Sequence, residues 1–145
     1  MMDVTMLTLI KNARIYSPRH LGVCDLLVCS NKIAQIDNNI EISGADLPLQ
    51  QIDAQGKVLI PGLVDSLVHI SGGGGEGGFN TRTPELNFGD AVLGGVTTLV
   101  GALGTDATTR SLNELHGKAR ALTADGLSCY HYTGSYQVPV KNANG

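Results

Sequence analysis

Six glycines in seven positions, Gly72–Gly75 with Gly77 and Gly78, interrupt this chain of 145 residues near its middle. Glycine loses more backbone freedom on folding than any other residue and brings no side chain to pack, so the cluster reads as a loop. It also separates two regions of different character, and the fold must accommodate both.

Before the loop the chain reads as short strands and turns. Residues 8–17, TLIKNARIYS, are apolar and β-branched with partial alternation, and Ser17-Pro18 ends the run. Residues 24–37, CDLLVCSNKIAQID, read as strand, turn at Ser30-Asn31, and strand. A less regular stretch, residues 42–50, leads to QIDAQGKVLIPG, a second strand-turn-strand with Gly56 in the turn. Residues 1–57 are therefore predicted to form a small antiparallel β-domain.

The pattern changes at Val58. VLIPGLVDSLVHI, residues 58–70, is mostly apolar, as in a strand buried on both faces. After the glycines, residues 83–95 read as a helix, with Thr83 as N-cap, Pro84 in the first helical position and Gly94-Gly95 as the stop. Residues 96–104 read as a strand and residues 108–126 as a helix, with Leu112, Leu115, Ala119 and Leu122 on one face. Residues 127–140 read as a third strand. The order β-α-β-α-β over 58–145 implies a parallel sheet with right-handed crossovers. An open sheet and the start of a (β/α)8 barrel both satisfy it; a whole barrel needs roughly 200 residues or more.

Composition excludes several classes. Hydrophobic residues make up 42% and charged residues 16%, a globular balance. A net charge of −3 gives no reason to expect nucleic acid or an anionic membrane. No run of 18 apolar residues is present, and Lys11 and Arg14 interrupt the start before a signal-peptide core forms. Cys24, Cys29 and Cys129 make no CxxC pair and read as small hydrophobes. These features favour the cytoplasm.

Two segments carry a family resemblance. PGLVDSLVHISGGGGEGGFNTRTPE, residues 61–85, has the PG-hydrophobic-hydrophobic-Asp-x-x-x-His pattern of the first amidohydrolase barrel strand. Its GGGGE run followed by TRTPE is narrower and resembles the metallo-type isoaspartyl (β-aspartyl) dipeptidases. VTTLVGALGTD and, after a helix, TGSYQVP match the same family in order and spacing. The resemblance implies an α/β fold: a small amino-terminal β-domain followed by the first β/α units of an incomplete (β/α)8 amidohydrolase barrel, with three strands and two helices in residues 58–145.

The resemblance also implies roles. His69 falls on a metal-ligand position, and the implied cofactor is zinc in a two-metal site. Leu67 stands where the family has its first histidine ligand, and leucine offers no lone pair. Glu76 matches the residue that holds the free α-amino group of the substrate, a position that suits a charge-assisted acceptor. Gly74 matches a backbone substrate contact, and Thr105 a substrate-contacting residue. Tyr136 matches the tyrosine that polarises the scissile carbonyl, a role fit for a phenol donor. Each has a plainer reading: a structural histidine, a solvated loop charge, a flexible loop, a helix cap at Thr105 or Asp106, a packed tyrosine. His116 and His131 match no functional position and are expected on a helix surface and within a strand.

Three functions follow as expectations. The chain is a truncated or degenerate isoaspartyl dipeptidase, inactive alone because the later ligands of the family would lie beyond Gly145. Alternatively it is another cyclic-amide amidohydrolase, hydantoinase-like or dihydroorotase-like, or a non-catalytic binding module. The expected partners are small isoaspartyl dipeptides and, through unpaired strand edges, further copies of the chain.

Overall fold

The computed structural model describes residues 6–44, 48–106 and 109–142. Three sequence readings therefore fall partly outside the described residues: the chain start, the middle of the irregular stretch 42–50, and the expected start of the second helix at 108. The chain divides into two compact units, Met1–Pro61 and Gly62–Gly145.

The first unit is a five-stranded sheet. β1 (Leu7–Tyr16), β2 (His20–Cys29), β3 (Lys32–Asp37) and β4 (Leu49–Asp53) lie in the order β3-β2-β1-β4, and β5 (Val58–Leu59) also pairs with β1. The turn at Ser30-Asn31 is present, with Ser30 at φ 53°. The expected wholly antiparallel arrangement is corrected. β1 pairs antiparallel with β2, but both β4 and β5 run parallel to β1. Gln55-Gly56 is thus a kink along one sheet edge rather than a hairpin. Ala54 and Gly56 donate backbone hydrogen bonds to Lys11 and Asn12 of β1, and Arg14 donates to Lys57. Alternating residues Ala13, Ile15, Cys24 and Leu26 form the buried core.

Asp25 lies inside this unit, 2% exposed. Its carboxylate accepts from the Asn12 and Ile40 amides, both at 3.0 Å, and pairs with Lys11 at 3.1 Å. Burial alone would raise its pKa. The Ile40 and Asn12 amides and the Lys11 ammonium more than reverse this and hold it below the usual carboxylate range.

The second unit is a parallel sheet in the order β6 (Leu63–Val68), β7 (Val96–Gly101), β8 (Ser128–His131). Its helices are α1 (Phe88–Leu93) and α2 (Leu112–Ala124). The β-α-β-α-β order is the expected one. Leu115, Ala119 and Leu122 are buried in one core with Ile70, Leu99 and Leu127, and Leu112 packs against it.

Local corrections have clear causes. The run 58–70 is two strands, because Val58 and Leu59 pair with β1 while the second sheet begins at Leu63. It is not buried on both faces: Leu63, Val64 and Leu67 are 48%, 66% and 66% exposed, since β6 pairs only with β7 in its sheet. The first helix begins at Phe88 behind Asn87, not at Pro84, because Thr83 is tied to the glycine loop. The second begins behind Ser111, whose side chain and Glu114 form a capping box. The third strand spans four residues rather than reaching 140.

Candidate active-site cleft

β6, β7 and β8 are parallel, so the segments that follow them leave the same end of the sheet. Ligands of α/β sheets bind at the carboxyl ends of strands. His69 follows β6, Ala102–Asp106 follow β7, and Tyr132–Tyr136 follow β8. Leu67, His69, Thr105, Tyr132, Ser135 and Tyr136 line one open cleft of about 560 Å³.

His69 is oriented from behind. Its Nδ1 lies 3.1 Å from the Ala102 carbonyl, which can only accept, so the proton is assigned to Nδ1 and Nε2 keeps its lone pair. The glycine loop packs closely here. A Cβ on Gly73 would stand 2.8 Å from His69 Cδ2, and one on Gly104 would stand 3.2 Å from Gly73 Cα. Gly74 has φ +72°, and a Cβ on it would meet the Thr81 carbonyl at 2.5 Å. Two backbones thus approach at distances that exclude any side chain.

Thr105 bridges the loop and the cleft. Its hydroxyl has one proton to give and faces two acceptors, the Gly74 carbonyl at 3.3 Å and the Glu76 carboxylate. The exposed Glu76 carboxyl is held below the usual range, first by its own backbone N–H and then by the Thr105 hydroxyl. Tyr136 stands in the cleft wall with 70% of its surface exposed. The structure therefore brings His69, Thr105 and Tyr136 into one cleft, with Gly74 and Glu76 joined to it through Thr105.

A clamp behind the loop went unseen in the sequence. Thr83 grips Gly73 twice: its amide donates to the Gly73 carbonyl at 2.9 Å, and its hydroxyl accepts from the Gly73 amide at 2.7 Å. Arg110, only 6% exposed, donates from Nη2 to the Thr83 carbonyl at 2.6 Å. A Cβ on Gly72 would run into the Arg110 guanidinium. Asp106 pairs with Arg82 at 3.0 Å and accepts from the Thr109 amide and hydroxyl. Ser111, and neither Thr105 nor Asp106, is the residue that caps α2. The only sequence signal for this clamp was a pair of arginines beside polar loops.

No protein-family profile matches the sequence. A β-aspartyl dipeptidase from Fervidobacterium islandicum AW-1, solved with a β-Asp-Leu dipeptide, is 45% identical, with a TM-score of 0.86 over 97% of this chain and 36% of that one. The chain resembles the amino-terminal part of a β-aspartyl dipeptidase of the amidohydrolase superfamily. A dihydroorotase from Streptococcus pneumoniae is 36% identical over 94% of this chain and 30% of its own length. An L-hydantoinase from Arthrobacter aurescens is 29% identical, with a TM-score of 0.54 over 78% of this chain and 24% of that one. The chain spans about a third of the dipeptidase and of the dihydroorotase.

The metal implied by this likeness meets one oriented donor, His69 Nε2. Leu67 supplies none, and among the described residues no group of three or more His, Cys, Asp and Glu is placed to share an ion. The described residues do not make a closed donor set for zinc.

Proposed function

We propose that this chain carries the substrate-recognising part of a metal-dependent β-aspartyl dipeptidase site. The observation that carries the reading is the convergence of His69, Thr105 and Tyr136 on one cleft, with Glu76 held ionised beside it. The 45% identity to a β-aspartyl dipeptidase over nearly the whole chain supports it. In this reading Glu76 receives the free α-ammonium of the β-aspartyl residue. Backbone at Gly74 and the Thr105 hydroxyl contact the substrate. The Tyr136 phenol donates to the oxygen that gains charge as the carbonyl is attacked, and His69 occupies a zinc-ligand position.

A cyclic-amide reading is favoured by the dihydroorotase and L-hydantoinase likenesses. Calorimetric titration of the 145-residue chain with β-Asp-Leu, α-Asp-Leu and dihydroorotate separates the two. The proposal expects β-Asp-Leu to bind best and Glu76→Gln to weaken it at least about tenfold, the loss of one charge-assisted hydrogen bond. Preference for dihydroorotate would overturn it.

The three cysteines are free, which supports placement in the cytoplasm. No helix among the described residues is long and apolar enough to cross a membrane. Exposed Leu63, Val64 and Leu67 on β6 support self-association through that edge.

A further inference from the structure

Two histidines stand outside the cleft's chemistry yet face each other. His116 lies exposed on α2, and His131 ends β8 half-buried. Their Nδ1 and Nε2 atoms, respectively, are 3.0 Å apart, and their rings meet edge to face with centroids 5.2 Å apart.

We propose that His116 and His131 form a surface site for a borderline-soft divalent transition metal such as Zn²⁺, Ni²⁺ or Cu²⁺. Three observations carry this. First, the spacing fits: two nitrogens about 2.0–2.1 Å from one ion lie roughly 2.9 Å apart in a cis square or octahedral arrangement and roughly 3.4 Å apart in a tetrahedral one. The observed 3.0 Å falls between these, so the rings need to turn but not to separate.

Second, the tautomer is already set. His131 Nδ1 lies 3.0 Å from the Tyr132 carbonyl, which only accepts, so Nδ1 carries the proton and Nε2 is left as a ligand. A ring N–H given to a backbone carbonyl is the usual support behind a metal-bound histidine. His116 is the donor in the free pair. On binding, its proton moves through solvent to its own Nε2, so the ring stays neutral and Nδ1 becomes a ligand.

Third, the backbone holds the pair in place. α2 and β8 are joined by three residues, 125–127, whose amides all bond back to α2, at Ala121, Thr123 and Leu122. Cys129 of β8 packs against the core that buries Leu115 and Ala119 of α2. Each histidine therefore rides on an anchored element, which lowers the ordering cost of bringing two ligands together. Two protein donors leave the other positions to water, so the site is exchangeable rather than structural. It does not depend on the dipeptidase reading, because neither histidine is itself among the residues that line the cleft.

The test uses the 145-residue chain and the metal alone. Zn²⁺ and Ni²⁺ are titrated by calorimetry, and histidine ring nitrogens are followed by ¹⁵N NMR in the same samples. His116→Gln and His131→Gln should each weaken binding at least about tenfold, whereas His20→Gln, at an exposed ring stacked on Tyr16, should leave it within about twofold. The wild-type spectra give a readout that needs no variant: metal should perturb both the His116 and His131 rings. Perturbation confined to His20 or His69, or no perturbation of either proposed ligand at millimolar metal, would overturn the assignment.

Discussion

The two units solve burial differently. In Met1–Pro61 a mixed sheet packs around small and medium apolar side chains and takes a charged carboxylate inside with them. The Asp25 carboxylate is fully engaged by two amides and an ammonium. In Gly62–Gly145 the helices bury one face of a parallel sheet behind Leu99, Leu115 and Leu122, while Leu67 and His69 turn toward the cleft. Strand and helix side chains supply the dry core, and the segments that leave the carboxyl ends of the same three strands supply most of the open site. The comparison teaches that the first unit closes its core around a single carboxylate that three partners satisfy. The second buries one face of its sheet in an apolar core and keeps its buried charges, Asp106 and Arg110, in the clamp behind the glycine loop.

The largest effect should come from the one-sided core. Leu115 is fully buried, and Leu115→Ala should cost about 3 kcal/mol through lost burial and the cavity left behind. Amide hydrogen exchange should show the loss over residues 62–142 and not over 6–44. Equal loss of protection in both regions would break the comparison.

The first unit should answer to charge instead. Asp25→Asn removes the anion that faces Lys11 and should cost about 2–3 kcal/mol. Because the folded pKa of Asp25 is depressed, its contribution is present above the unfolded value of about 3.9 and fades as pH falls through the lower folded value. Exchange protection in β1 and β2 should therefore drop below roughly pH 4 in the wild type. In Asp25→Asn that pH dependence should flatten.

These differences track how much the sequence disclosed. The α2 face was legible because Leu112, Leu115, Ala119 and Leu122 recur at helical spacing, and three of them are fully buried. The strand order from Leu63 onward followed from alternation of element types. Strand direction in the first unit was not legible. Whether β4 pairs parallel or antiparallel with β1 depends on the path of a connection that local pattern does not encode. The helix expected at Pro84 failed because Thr83 serves the glycine loop, a tertiary tie that overrides a good local capping signal. Arg110 was invisible for the same reason: its burial depends on a loop 27 residues earlier. In the cleft, the expected residues were named from family likeness, and the sheet's parallel order brings them to one end.

The clamp behind the loop offers a sharper test. Gly72 has φ +92°, and a Cβ there would meet the Arg110 guanidinium and, at 2.5 Å, the Thr83 carbonyl. Gly72→Ala should cost about 2 kcal/mol through backbone strain and steric conflict. Arg110→Ala removes one of the two obstacles. The double variant should therefore be less destabilised than the sum of the single ones, a coupling that thermal or chemical melts can read. Strict additivity would mean that the guanidinium does not confine the loop.

The smallest effect should come from the start of α2. Ser111 accepts from the Glu114 amide at 3.1 Å, and Glu114 reaches back to the Ser111 amide at 3.3 Å. Two amides that have no partner within the helix are satisfied this way. Ser111→Ala leaves one without its acceptor and should cost about 1 kcal/mol. Glu114→Gln keeps the reciprocal hydrogen bond but removes the negative charge near the positive end of the helix dipole, and should cost about 0.5 kcal/mol, less in high salt. Both residues are at least partly solvated, so water replaces part of what is lost. The contrast with Leu115, one turn further along the same helix, is the measurement that matters. If the cap variant cost as much as the core variant, α2 would owe its position to its own ends rather than to the sheet it covers, and one-sided burial would no longer explain how this unit holds together.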